Sequence, residues 1–440
     1  MKKTMFGGML LATTMMAAPA MAQDAAASPF AGPYAGVHLG IGQVESLHTD
    51  RDDYWTNSKD GVTKDTGKQL GIQAGYDMLF GDALVGVMGE ATFGKMDSYS
   101  EISSGGSDIP QIYEIGTRVT RLGSVRAKAG FASGSLAAYG TVGFAFSNAK
   151  QRFVETYCDD CGVFAGKGDR SGIVYGMGFD YAVGNRMTLG LAYSTYDFGS
   201  KTHLVDGTDY RFAQDYKVRQ LAFNANYRFG GLASAAPAAD ATAFTGPYVG
   251  IQAGRATVTN VSNDLDYYFY NDELQTRGRG AMVGVRAGYD HAFGPLLVGV
   301  LGEVSFGKVD SFNDTTGDPD DYYYSAGTRL SRLGSVRAKL GLASNKVAAF
   351  VTGGFAFSNA RQRLENGWSD DYGYDERGDR SGMVLGLGAA YALSSKANIG
   401  VDFSSYDFGK RQHLLGGDTD YRMTDAYKIR TLSLSFNYGF

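Results

Sequence analysis

The chain has only 2 Cys, 8 Pro, 2 Trp and 5 His in 440 residues. Two cysteines cannot build a disulfide scaffold or, alone, a four-ligand zinc site. They stand as Cys158-Asp159-Asp160-Cys161. In an oxidising compartment that spacing reads as a small loop disulfide, with free thiols the alternative. No further ligands stand at metal-site spacing, so neither a metal nor any other cofactor is expected. Beyond residue 22 no apolar run approaches the roughly 18 residues that a spanning helix needs. The 41 basic residues are outnumbered by 46 acidic ones, a formal net charge of −5, which leaves no electrostatic case for a nucleic-acid partner. Disorder is excluded by the supply of aromatic and β-branched residues.

What is abundant is Gly (62), Tyr (29) and Phe (26). They fall in short alternating segments, the clearest at the end of the chain. In KIRTLSLSFNYGF, Leu432, Leu434, Phe436 and Tyr438 alternate with Ser433, Ser435, Asn437 and Gly439. A period of two with one apolar face describes a strand with lipid on one side and water on the other. The stretch has an earlier copy, Lys217 to Phe229, KVRQLAFNANYRF. Met1 to Ala22 reads as a secretory signal, with Lys2 and Lys3 before an apolar core and an A-x-A site at Ala20-Met21-Ala22.

The repetition extends over the whole chain. GPYAG at Gly32 returns as GPYVG at Gly246, RLGSVRAK at Arg121 returns at Arg332, and YDFG at Tyr196 returns at Tyr406. The expected organisation is a signal peptide over 1–22, a leader over 23–31, one barrel repeat over 32–230, an Ala/Pro-rich linker over 231–245 and a second barrel repeat over 246–440. Eight strands are expected in the first unit, near 33–46, 67–79, 84–96, 116–131, 136–150, 172–183, 187–198 and 215–229, and eight more at matching places in the second. Short turns alternate with long, polar, Tyr-rich loops. That is the topology of an all-β, antiparallel transmembrane β-barrel of the outer membrane, with short inner turns and longer outer loops.

Alternation also sorts wall from lumen. Leu70, Ile72, Val85, Val87, Val125 and Ala127 fall on the lipid side, and Glu90, Arg126 and Lys128 on the other, with Glu303, Arg337 and Lys339 as their copies. A charge facing lipid near the midplane costs about 2–4 kcal/mol, so these six must face inward. Buried there, they should pair: Glu90 with Arg126 and Lys128, Glu303 with Arg337 and Lys339. A plug of ion pairs is the simpler reading of this lumen cluster, and a path guiding solutes the functional one.

With the GPYAG opening, RLGSVRAK and the terminal NYRF and NYGF in place, each unit resembles the small eight-stranded outer-membrane barrels of alphaproteobacteria, the porin-family or surface-antigen barrels. The resemblance spans nearly the whole mature chain, twice. It implies residence in the bacterial outer membrane, lipid and lipopolysaccharide as surroundings, and a structural or surface role with weak pore or ligand-binding activity in some members. It implies no catalytic residues. Tyr227, Phe229, Tyr438 and Phe440 look like the terminal aromatics read by the barrel-insertion machinery.

Two closures are open: two tandem eight-stranded barrels, or one sixteen-stranded barrel. The first fits a structural protein that displays surface loops, with weak pore activity at most. The second fits a porin with an aqueous channel for small solutes. An enzyme would need a His placed with an acid or a Ser at one rim. The only repeated His pair, His203 and His413, has Asp209 or Asp420 downstream and reads as loop surface. Tyr267, Tyr268, Tyr270 and Tyr322 to Tyr324 are candidates for ligand or haem capture, but rim tyrosines more commonly form an interfacial girdle.

Overall fold

The computed structural model describes residues 28–52, 61–104, 111–155, 163–184, 186–204, 211–229, 242–265, 274–315, 324–366, 374–414 and 422–440. The signal segment, Cys158 and Cys161, linker residues 231–241, Asp209 and Asp420, and Tyr267, Tyr268, Tyr270, Tyr322 and Tyr323 lie outside these residues.

The first sheet contains β1 (Gly32–Asp50), β2 (Gly61–Phe80), β3 (Ala83–Asp97), β4 (Ser100–Ser104), β5 (Gln111–Ser133), β6 (Leu136–Glu155), β7 (Val163–Val183), β8 (Met187–Leu204) and β9 (Arg211–Arg228). Both β3 and the short β4 pair with β5, so β4 continues β3 and the wall has eight positions. The second sheet repeats this with β10 (Gly246–Asp264), β11 (Leu274–Phe293), β12 (Leu296–Asp310), β13 (Asn313–Thr315), β14 (Tyr324–Ser344), β15 (Val347–Asn366), β16 (Tyr374–Ala392), β17 (Ala397–Leu414) and β18 (Arg422–Gly439). Every pairing is antiparallel, and apart from β3–β5, β12–β14 and the two that close the walls each joins neighbours in sequence.

Those two settle the architecture. β1 pairs with β9, from Tyr34↔Arg228 to Asp50↔Phe212. β10 pairs with β18, from Tyr248↔Gly439 to Asp264↔Met423. The last strand therefore returns to Tyr248, not to Tyr34, and the chain forms two closed eight-stranded barrels. The sixteen-strand alternative, and the wide porin built on it, are overturned. The edge of β9 is already saturated by β1 and has nothing to offer β10.

The period-two pattern produces this wall directly. Val37, Leu39 and Ile41 are 53%, 59% and 53% exposed on the outer surface, while Tyr34, His38 and Val44, at the alternate positions of the same strand, are buried inside. Inward glycines make room for inward rings. A Cβ on Gly75 would lie 2.5 Å from the Tyr34 hydroxyl, and one on Gly288 would lie 2.5 Å from that of Tyr248. The repeated YDFG motif is a β-bulge. Register shifts between Asp197 and Ser200, and between Asp407 and Lys410. Gly199 and Gly409 take φ of 60° and 65° there, and their N–H groups donate to Asp197 and Asp407 at 3.1 and 2.9 Å.

The segment before each barrel is part of the barrel. Phe30 packs with Leu84, Ala132, Ala137 and Ala182 inside the inner end of the first. Phe244, on a 3-10 turn (Thr242–Phe244), packs with Leu297, Ala343, Ala348 and Phe350 in the second. The leader and the end of the linker carry no strand pattern, yet each supplies a stopper.

The two walls also touch. Leu136 and Ala138 share a buried cluster with Val347 and Ala349, their counterparts in the other repeat. Phe131 stacks on Tyr391 at 4.3 Å, and Tyr193 on its counterpart Phe403 at 5.1 Å. Like patches meeting like patches is the geometry of an isologous contact. One asymmetric ion pair joins the inner turns: Lys346 Nζ lies 3.0 Å from Asp82, which also accepts from the Tyr391 hydroxyl at 2.9 Å. Burial pushes the Asp82 carboxyl up, but Lys346 and Tyr391 outweigh it and hold the group below its usual value.

Two outcomes follow from this arrangement. Cleavage at a protease site inserted within 231–241 should leave two fragments that each keep heat-modifiable gel mobility in detergent; unfolding of both on cleavage would contradict separate closure. A depressed carboxyl keeps its favourable contact above its unfolded pKa and loses it as pH falls through the lower folded value. A carboxyl-carbon NMR titration of Asp82 should therefore give a midpoint below the usual value of about 3.9; a higher one would mean the contact does not hold the charge.

Candidate functional site

The lumens are where the sequence concentrates buried charge, and an eight-strand ring is just wide enough for side chains to fill. Arg126, Lys128 and Glu90 point inward because each alternates with a lipid-facing residue on its strand. In the middle of the first lumen Arg126 pairs with Glu90, with side chains only 3% and 6% exposed. Its guanidinium also donates to Ser194 and Ser124 at 2.7 and 2.8 Å and to the Tyr196 hydroxyl at 2.6 Å. Tyr196 in turn donates to Glu90. His38, on the same level, shares a 3.0 Å hydrogen bond with Thr92.

Lys128 departs from its expected partner. It lies 3.1 Å from Asp77 and 3.6 Å from Asp180, not beside Glu90. Two residues along a strand is a step of about 6.6 Å, so Lys128 belongs to the next layer toward the inner end. Arg228 completes that layer, 2.9 Å from Asp77 and donating to the Phe30 carbonyl. Lys128 sits over the Tyr139 ring at 3.9 Å and Arg228 over Tyr34 at 4.8 Å.

The second lumen has the same plan with different members. Arg337 pairs with Glu303, which accepts from the Tyr406 hydroxyl at 2.9 Å. Lys339 likewise pairs one layer inward, with Asp290 at 2.7 Å, and donates to the Tyr248 hydroxyl at 3.1 Å. An additional pair, Arg286 and Asp402 at 2.8 Å, stands where the first repeat has Gln73 and Ala192. Conversely, Arg228 and Asp180 of the first repeat are matched by Gly439 and Ala390. Each lumen has gained or lost an acid together with a base.

Above these layers Val44, Met96, Val119, Leu122, Val174, Phe198, Tyr216 and Val218 form one buried cluster, interleaved with buried polar side chains such as Ser46, Thr117 and Gln214. A corresponding cluster fills the second. Between the layers is a cavity of about 20 Å³ beside His38, Arg126 and Gln220, and another of about 20 Å³ beside Arg286, Asp402 and Asn437. That is room for a water molecule.

The six named charges thus lie in the lumens, but in two layers per barrel. Pairwise reading of one strand missed Asp77, Asp180, Arg228, Tyr196, Arg286, Asp290, Asp402 and Tyr406. The signal was available for several of them: Asp77 alternates with Tyr76 and Met78, and Arg228 with Tyr227 and Phe229. His203 and His413 lie at the outer strand ends. His203 Nε2 is 2.9 Å from Gln151 Oε1. His413 stacks on Tyr374 at 4.4 Å, with Glu376 and Asp425 at 3.3 and 3.6 Å from its two ring nitrogens. Tyr227, Phe229, Tyr438 and Phe440 are 42%, 63%, 44% and 72% exposed on the outer wall.

Removing one partner of a buried ion pair leaves the other charge stranded. Glu90→Ala should destabilise the protein by about 3–5 kcal/mol in urea unfolding from detergent, and Glu90→Leu with Arg126→Leu should recover most of that loss. Equal loss in the single and double variants would show that the two charges are not coupled.

Residues 9–229 and 231–440 each match the family described as outer membrane protein beta-barrel domain. The 31 kDa outer-membrane immunogenic proteins of Brucella melitensis and Brucella suis are each 28% identical over 223 residues, covering 47% of this chain and 88% of theirs. Among solved structures, Ail of Yersinia pestis overlaps 45% of this chain and 99% of its own, at 16% identity and a TM-score of 0.24. Neisserial surface protein A overlaps 44% and 97%, at 14% and 0.23. Closure into eight strands is read from this chain's own pairing, not from those loose overlaps. The chain belongs to the outer membrane protein beta-barrel domain family, carries that domain twice, and is a protein of the bacterial outer membrane.

Proposed function

We propose that the chain is a structural envelope protein, a pair of closed barrels that anchor and display its long outer loops. The filling of both lumens supports this reading most strongly. Paired charges, with a space of about 20 Å³ beside them in each barrel, occupy the inner half, and a buried cluster rich in apolar side chains the outer half. On this reading a diffusing solute finds no open path through either lumen. The strand ends that lead into the long connections all lie opposite Phe30 and Phe244, which supports an outer position for those polar, Tyr-rich segments. A relative named for its immunogenicity is consistent with loops exposed at the cell surface.

Planar-bilayer recording tests the reading. The purified full chain should give no large, stable conductance steps, and steps of that kind would overturn it. Glu90→Ala with Arg126→Ala, which empties the middle layer of one lumen, should raise the frequency of small openings above that of the unaltered protein.

A further inference from the structure

The outer walls carry a charge asymmetry that the lumens do not explain. In the first barrel, Glu45 is flanked on β2 by Lys64, its register partner, and on β9 by Lys217. Its carboxylate takes Arg219 in a bidentate pair at 3.0 and 3.2 Å and has Lys64 at 3.7 Å. The same position in the second barrel is Thr259, between Arg277 on β11 and Lys428 on β18. One row inward, Thr257 stands between Arg279 and Arg430. The acid of the first repeat is absent from the second, while the bases have been kept or increased. Lys428 has Asp407 at 2.8 Å. Arg277, Arg279 and Arg430 have no carboxylate within 4 Å among the described residues.

These three side chains are not scattered over the surface. The Tyr193–Phe403 stack joins the two walls, and Arg219 and Arg430 each lie two residues outward along a neighbouring strand from the partners of those rings, Leu221 and Leu432. Arg430 is in Coulombic range of Arg219, Glu45 and Arg277, and Arg277 of Glu45 and Arg219 across the seam. Exposed Arg277 and Arg279 and half-buried Arg430 therefore stand near the seam with a single carboxylate that is already engaged. Like charges gathered on one face repel, and an anion relieves that repulsion.

Depth identifies the anion. Going outward from Tyr438, the exposed Phe436, Leu434 and Leu432 face lipid, and Arg430 is the next outward position. Eight residues of tilted strand span about 20 Å along the membrane normal, against an apolar band about 25 Å tall. Arg430 and Arg277 thus meet the outer leaflet where headgroup phosphates lie, and guanidinium matches phosphate in bidentate geometry. We infer that the seam between the barrels, lined by Arg277, Arg279, Arg430 and Arg219, binds the phosphorylated headgroup of an outer-leaflet lipid. The assignment is independent of whether the lumens conduct.

Native mass spectrometry of the delipidated full chain in detergent provides the test, with three probes: bisphosphorylated lipid A, its dephosphorylated form, and inorganic phosphate. One bisphosphorylated lipid should be retained about tenfold more tightly than the dephosphorylated form. Thr259→Glu, which restores the first repeat's acid, should abolish that preference, as should Arg277→Gln with Arg430→Gln. Lys150→Gln with Lys308→Gln, which removes exposed bases elsewhere, should not. Heat-modifiable gel mobility checks that each variant is folded, and either seam variant suffices if the other fails. Equal retention of the two lipids, or equal loss in the Lys150/Lys308 control, would overturn the site. Full displacement of the lipid by millimolar inorganic phosphate would overturn the lipid assignment.

Discussion

A backbone in lipid has no water to bond with, so every amide must find a partner within the wall. That requirement makes the closing pairs β1–β9 and β10–β18 the contacts on which everything else depends. Once Tyr34 lies against Arg228, the first repeat has no free edge, and the second must close on its own Tyr248. A chain duplicated from one such unit therefore becomes two narrow barrels. Narrowness then dictates the interior. Eight strands leave an interior just wide enough for side chains as large as Arg126 and Tyr196 to fill.

The interior shows how that constraint is met with charge. Arg126 and Glu90 occupy the middle of the wall, where neither has access to bulk water. Their cost is offset by mutual attraction and by hydroxyl partners, Ser124, Ser194 and Tyr196. The two repeats have since diverged in a way that respects this. Arg228 and Asp180 are present in one lumen and absent from the other, while Arg286 and Asp402 show the reverse. A lone charge added to either lumen would have no solvent to receive it, so bases and acids appear together.

The outer surface is under no such rule at its rim, because the headgroup region supplies both water and counter-charge. There the repeats differ without compensation: Glu45 becomes Thr259, Thr66 becomes Arg279, and the result is an excess of positive charge along the seam. The inner ends differ again. Phe30 and Phe244 close the two lumens from below, so each duplicated unit includes the short segment ahead of its first strand. The contact between barrels uses the start of the same strand from both repeats, Leu136 with Ala138 against Val347 with Ala349.

The sequence by itself determined the strands, their number, the face each residue presents and the two-fold repetition. All of these follow from a period of two, the spacing of turns and the solvation of charge in lipid, which are local. Lumen charges such as Glu90, Arg126 and Lys128 were legible for the same reason. Partner choice was not, because it depends on the stagger between strands: Lys128 faces the right way but lies a layer away from Glu90. Closure was decided by tertiary structure alone. The strands ending at Phe229 and Phe440 have nearly the same pattern, and nothing within either says whether it returns to Tyr34 or to Tyr248. Only the ring that each repeat's length and tilt permit could decide that. The same holds for Phe30, Phe244 and Tyr193, whose roles arise from what a closed barrel brings next to them.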